Sequence, residues 1–293
     1  MTVELDRESR DHFELGKRFR FGRNWRRFLR TVDDRSIREA ERRLTGFLGM
    51  SSLSGQTFLD VGSGSGLHSL AARSLGAEVV SFDYDPESVE AARQLRSRFD
   101  LGSDKWLIEI GSVLDTEYLK SLGKFDVVYA WGVLHHTGAM WEALERVQMP
   151  VKEGGKLYIA VYNDSGAGSR WWLKRKKRYC KLPFLLRPAY FLWIYVPMEL
   201  KYINVLRPLC RGRIDQVLRK IGKYAKEWNE YKKNRGMSRF HDMIDWLGGY
   251  PYEFAEAEDL VCFYEAAGFK LLRLDRNDGT GNHELVFVKD PTP

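Results

Sequence analysis

Over most of its length the chain alternates short apolar runs with amphipathic stretches. TFLDV, VVSFD, KWLIEIG, FDVVYAWG and GGKLYIAVYN are strand-length hydrophobic runs. The longest of them are nearly continuous, as expected of strands buried on both faces of a parallel sheet. Helical patterns lie between them, from about Leu67, over Ser88–Phe99 and over Trp141–Val147. Upstream, IREAERRLTGFLG sets Ile37, Ala40, Leu44 and Phe47/Leu48 three and four apart, which predicts a helix ending near Gly49. HFELGKRFRFGRNWRRFL has further helical stretches broken by glycines. The alternation lapses after Asn163 and resumes at Ala257, where EDLVCFYEAAGF predicts a helix capped by Gly268. KLLRLDR and HELVFVKD then predict two strands joined by the turn residues NDGTGN. Together these elements predict an α/β fold: a doubly wound, mostly parallel seven-stranded sheet with a C-terminal antiparallel hairpin and a helical insertion.

The predicted organisation is an N-terminal helical segment over residues 1–50, a core over 51–164 and 251–293, and a basic, aromatic helical insertion over 165–250. Charge marks the insertion off. Between Ser165 and Tyr250 stand twenty Lys and Arg against six Asp and Glu, whereas the rest of the chain carries an acidic excess within an overall +7. Such a segment meets phosphate, an anionic membrane face or an acidic substrate, or is simply a solvated helical surface. Cys180, Cys210 and Cys262 are odd in number and far apart, forming neither a disulfide framework nor a metal knuckle. With a polar Met1–Arg10 that does not read as a signal peptide, a cytoplasmic location is expected, possible membrane contact being peripheral.

The chemistry concentrates between Thr57 and Ser88. Asp60, Gly62, Ser63, Gly64 and Gly66 form a glycine-rich turn between a strand and a helix, where backbone passes close to a ligand. A dinucleotide-binding turn spaces its glycines G-x-G-x-x-G around pyrophosphate. Here the spacing is G-x-G-x-G and an acid precedes it, which would repel pyrophosphate and suits a cationic amino group. Gly66 is followed by Leu67-His68, so the Lys-Ser/Thr of a P-loop is missing. Asp83 ends the second strand, where an acid bonds ribose hydroxyls in folds of this kind. Asp85, just before Pro86, is placed to cap the next helix.

DVGSGSG, VVSFDYDPESVEAA, GSVLD, FDVVYAWGVLHHTG and GGKLYIAVYN together resemble the class I, Rossmann-like S-adenosylmethionine-dependent methyltransferases. Within that family the chain looks most like the ubiquinone-biosynthesis and natural-product O-methyltransferases. The resemblance covers Ser54–Asn163 and the carboxy-terminal hairpin. It implies S-adenosyl-L-methionine as cofactor, with the Asp60–Gly66 turn along the methionine part, Asp83 at the ribose and Tyr84 among the cofactor contacts. It also implies Ser112 and Val113 at the adenine ring, with Asp115 at the exocyclic amine, and Trp131 and Gly132 as a floor beside the sulfonium. Family members often carry an acid where this chain has Ser112, which loosens the adenine assignment. Residues 1–50 would be a lid over the cofactor, and the insertion would cover the acceptor.

Methyl transfer to oxygen often needs a base, and histidine suits neutral pH. His136 and His135 follow a predicted buried strand at its carboxyl edge, and either is a candidate base or a packing residue. His241 belongs to a second cluster with Asp242, Asp245, Trp246 and Tyr250, read as a corner of the acceptor pocket; its spacing matches no strong metal motif, and no metal is expected. The expected acceptor is a small-molecule or lipid-like compound. Within the insertion, Leu182–Leu200 is apolar, but Pro183, Pro188, Pro197 and Arg187 interrupt it. That pattern argues against a membrane span and fits peripheral contact with an anionic membrane, or packing over the site. Basic residues among Trp171, Trp172 and Tyr179 leave nucleic acid as a less favoured partner. A non-catalytic, methyltransferase-like partner protein is a third reading, opposed by the intact glycines and Asp83.

Overall fold

The computed structural model describes residues 22, 25, 28–29, 32–99, 103–204, 208, 210–235 and 239–291. Helix α1 (Asp34–Leu48) starts where the Asp33 carboxylate accepts from the Ser36 N–H at 2.8 Å and stops at a left-handed Gly49. The chain then alternates through β1 (Thr57–Val61), α2 (Leu67–Ser74), β2 (Glu78–Asp83), α3 (Pro86–Phe99), β3 (Trp106–Ile110) and α4 (Thr116–Ser121). It continues with β4 (Phe125–Trp131), α5 (Met140–Val147) and β5 (Val151–Tyr162). The insertion contains α6 (Ala167–Lys181), α7 (Arg187–Ile203), α8 (Ile214–Arg235) and α9 (Arg239–Gly248). Helix α10 (Ala257–Ala266) and strands β6 (Phe269–Asp275) and β7 (Asn282–Lys289) complete the core.

One seven-stranded sheet runs in the order β3-β2-β1-β4-β5-β7-β6, parallel except for β7, which is antiparallel to both its neighbours. This is the expected doubly wound sheet with its terminal hairpin. Successive residues of β1 point to opposite faces, so Phe58 packs with α1, α2 and α3 while Leu59 packs with α4, α5 and α10. Strand β5 begins at Val151, earlier than the sequence pattern predicts, because Gly154 turns with a positive φ and the register against β4 shifts between Phe125 and Val127.

The strand order reverses between β1 and β4, and ligands bind open α/β sheets at the carboxyl edge beside such a switch. The insertion stands over that edge. It has its own small core of Trp172, Tyr179, Phe191, Ile194, Leu247 and Tyr252. Tyr162, at the end of β5, joins it to the sheet through ring contacts with Trp246 at 5.3 Å and Tyr252 at 4.9 Å. Lys176 is fully buried there, donating to the Trp246 carbonyl oxygen and lying 4.0 Å from the Trp246 ring centre. Burial pulls its pKa down to about 7. Among the described residues no helix is long and apolar enough to cross a membrane.

Candidate active site

The turn after β1 is held by backbone. Gly62 and Ser63 both donate their N–H groups to the Phe82 carbonyl oxygen, at 2.8 and 3.0 Å. Gly62 has φ 70°, and a Cβ there would sit 2.4 Å from the Val133 side chain. No other residue type satisfies both conditions without strain. Gly66, with φ 79°, enters α2, and a Cβ on it would meet Ala92 at 2.9 Å.

A cavity of about 1000 Å³ opens above this turn. It is lined by Asp60, Gly62, Ser63 and Gly64, by Asp83 and Tyr84, and by Ser112 and Val113. Trp131, Gly132 and His136 add the β4 edge. Two sequence candidates lie elsewhere, and a third is not described. Gly66 faces the packed joint between α2 and α3 rather than the cavity, because its missing side chain is needed by Ala92 and Trp106. His135 is sealed in the interior. The side chain of His241 lies outside the described residues.

The acids differ in surroundings. Asp60 is buried and accepts the Ser69 hydroxyl at 2.5 Å; burial outweighs that bond and pushes its pKa up to about 7. Asp83 accepts from the Asp85 N–H at 2.8 Å and from the Gly64 N–H at 2.9 Å, which fixes its carboxylate at the turn. Burial, and to a smaller degree the Asp85 charge, raise it to about 7 as well. Each carboxylate oxygen retains a lone pair beyond these bonds. Asp85 caps α3 through the Glu87 N–H at 2.9 Å, as expected, and its other oxygen accepts from the Gly22 N–H at 2.9 Å. That second bond ties Gly22 to the site. Asp115 caps α4 through the Tyr118 N–H at 3.0 Å and is not among the residues lining the cavity.

The two histidines separate cleanly. The His135 Nδ1 accepts from the Tyr162 N–H at 3.2 Å, and burial drives its pKa well below the usual value. It is a neutral packing residue, and no substrate reaches it. His136 lines the cavity, with Nδ1 2.6 Å from the Pro251 carbonyl oxygen. A carbonyl oxygen only accepts, so Nδ1 carries the proton and Nε2 is the nitrogen able to take one.

Several lining residues escaped the sequence reading. Trp25 lies against Gly64, whose Cβ would come 3.0 Å from its ring. Arg43 on α1 bonds Glu284 of β7 at 2.7 Å, and the Tyr158 hydroxyl donates to the same carboxylate. Burial opposes the Arg43 charge, and Glu284 with its neighbours more than offsets that. His68, by contrast, is lowered to about 4, chiefly by burial, and so is neutral. The insertion contributes Tyr195, Met198 and Met243, beside Trp246 and Tyr250 of the predicted pocket corner. The one available signal for Arg43 was a basic residue beside Leu44 on the apolar face of a helix; the aromatic residues gave none.

The cavity fits a polar, hydrogen-bonding ligand at its turn end. Ser63 Oγ on the turn, and Asn282 Oδ1 at the start of β7 beside Tyr162, line the cavity buried and without a hydrogen-bond partner among the described residues. Residues 52–186 match the model of a family described as a methyltransferase domain. The chain is 34% identical over 117 residues to the tRNA U34 carboxymethyltransferase of Enterobacter sp. (strain 638), covering 38% of this chain and 33% of that protein. It is 32% identical over 115 residues to the ubiquinone biosynthesis O-methyltransferase of Xanthomonas oryzae pv. oryzae (strain PXO99A), covering 39% of this chain and 46% of that protein. The chain thus spans a third to less than half the length of these relatives. PKMT2 from Rickettsia typhi shares the fold, with a TM-score of 0.55 at 12% identity, over 87% of this chain and 53% of that one. By its sheet order, its glycine turn and the match over residues 52–186, the chain carries a methyltransferase domain.

Proposed function

We propose that this chain transfers a methyl group from S-adenosyl-L-methionine to a nucleophilic atom of a small, apolar or lipid-like acceptor held beneath the insertion. One observation carries the reading. A single cavity joins the glycine turn and Asp83 at one end to Tyr162, Tyr195, Met198, Met243 and Trp246 at the other. At about 1000 Å³ it stands at the upper end of small-molecule sites, which is room for cofactor and acceptor together.

The residues divide the work. Asp60 and Arg43 present opposite charges to the two ends of an amino acid group. Asp83 offers carboxylate oxygens to ribose hydroxyls, and Ser112 and Val113 edge the place for the adenine ring. Trp131 and Gly132 form the floor next to His136. When bound, S-adenosyl-L-methionine supplies an electrophilic methyl group on sulfur. The aromatic end excludes water and orients the acceptor, which is the larger part of catalysis in a displacement of this kind. His136 Nε2 takes the acceptor proton, and the Pro251 carbonyl holds its ring in the required tautomer.

A second reading has a specific observation behind it. The relative from Enterobacter is named for tRNA, and the insertion here is strongly basic, which supports an RNA acceptor. Purified protein given methyl-labelled cofactor and separate total-lipid, total-RNA and polar-metabolite fractions decides between them. Label in the lipid or metabolite fraction is expected. Label confined to RNA would overturn the preferred acceptor.

A further inference from the structure

Helix α7 is apolar on opposite sides. Phe191 and Ile194 point into the small core of the insertion, while Leu192, Trp193, Val196 and Leu200 are exposed. Leu192, Val196 and Leu200 recur every fourth residue, so they form one outward stripe. The turn before the helix carries Phe184, Leu185 and Leu186, of which Phe184 is 78% and Leu185 85% exposed. This turn is held in shape, because Arg187 donates to the Leu182 and Cys180 carbonyl oxygens at 3.0 Å each. A surface of this extent and order costs solubility unless something covers it.

The charges around it indicate what. On α6, which packs against α7, Lys174, Lys177, Arg178 and Lys181 are exposed. The Arg175 guanidinium lies 4.0 Å from the Trp171 ring centre and 5.3 Å from that of Trp193, so a cation sits at the edge of the apolar stripe. Apolar and aromatic side chains bordered by Lys and Arg, on a helix that cannot span a bilayer, are what an anionic lipid surface binds. A protein partner would gain little from so many exposed cations, and a second copy of this basic face would repel itself.

We infer that the Phe184–Leu186 turn and the outer stripe of α7 dock the protein onto an anionic membrane surface. The same helix turns Tyr195, Met198 and Glu199 into the cavity, so its outer face lies in lipid while its inner face roofs the acceptor site. A lipid-like acceptor then has a short path into the cavity from the bilayer. The docking goes beyond the proposed reaction and needs neither cofactor nor turnover.

Flotation of the full chain, without cofactor, with vesicles of phosphatidylglycerol and phosphatidylcholine or of phosphatidylcholine alone tests this. The protein should float with the anionic vesicles, and Leu185→Glu and Trp193→Glu should each weaken partition at least about tenfold. Both positions are exposed, so folding, checked by thermal melting, should be unchanged. Protein that stays in solution with anionic vesicles, or floats equally well with both substitutions, overturns the inference. So does an α7-dependent dimer that ignores vesicles, which would assign the face to a second copy. Flotation that succeeds while lipid extracts receive no label leaves the docking intact and removes only the lipid-like part of the acceptor reading.

Discussion

The two ends of the cavity are built by different means. At the turn end the main chain does the work: N–H groups of Gly62 and Ser63 tied to Phe82, and of Gly64 and Asp85 tied to Asp83. The side chains there include the acids Asp60 and Asp83, with Trp25 against Gly64. At the insertion end the lining residues include Tyr162, Tyr195, Met243 and Trp246. A backbone-built site depends on conformation and changes little when surrounding side chains change. A side-chain-built site changes with every substitution. The first therefore suits a constant ligand and the second a particular one, which is why the cofactor end resembles a whole family and the acceptor end does not.

Substituting the turn breaks the first half hardest. Gly62→Val places carbon against Val133 at a positive φ, and about 2–5 kcal/mol of stability should be lost, with cofactor binding lost alongside. Urea unfolding and a binding titration read both. A variant as stable as the parent would show that the turn is looser than drawn. His136→Ala sharpens the division instead. Turnover with saturating substrates should fall about 10²-fold or more while cofactor affinity stays within about twofold. Intact turnover would remove the base, and lost affinity would place His136 at the cofactor end.

How much of this the sequence showed follows the same division. The parallel strands were legible because their runs are apolar on both faces, and Asp60, Asp83 and the glycines because strand–turn–helix geometry restricts what those positions hold. The helices of the insertion have no such restriction. Tyr195 and Met198 face the cavity while Trp193 and Val196 face out, and a helix that is apolar all round gives no periodicity to separate them. His135 and His136 were indistinguishable in sequence. What parts them is the Tyr162 N–H to one ring and the Pro251 carbonyl to the other, both brought from elsewhere in the fold. Gly66 looked like a ligand contact and serves packing, since Ala92 comes from a helix the local motif does not specify.

A smaller effect should appear with pH. Burial raises Asp60 and Asp83 to about 7, so both are carboxylates above that value and take up protons below it. If the carboxylate form holds the ligand, cofactor affinity falls as pH drops through 7. About tenfold should be lost at pH 6 relative to pH 8 for one such group. An affinity that is flat over this range would mean that the bound state does not depend on either charge.

The account rests on the carboxylate at the end of β2 gripping the cofactor from the turn end of the cavity. Calorimetric titration of S-adenosylhomocysteine into the parent protein and into Asp83→Ala measures this most directly. Loss of hydrogen bonds to a charged group predicts affinity about 10- to 100-fold weaker in the variant, with a lower melting temperature as well, since the Gly64 and Asp85 N–H groups lose their acceptor. Equal affinity in the two proteins, or no binding to the parent at all, would contradict it.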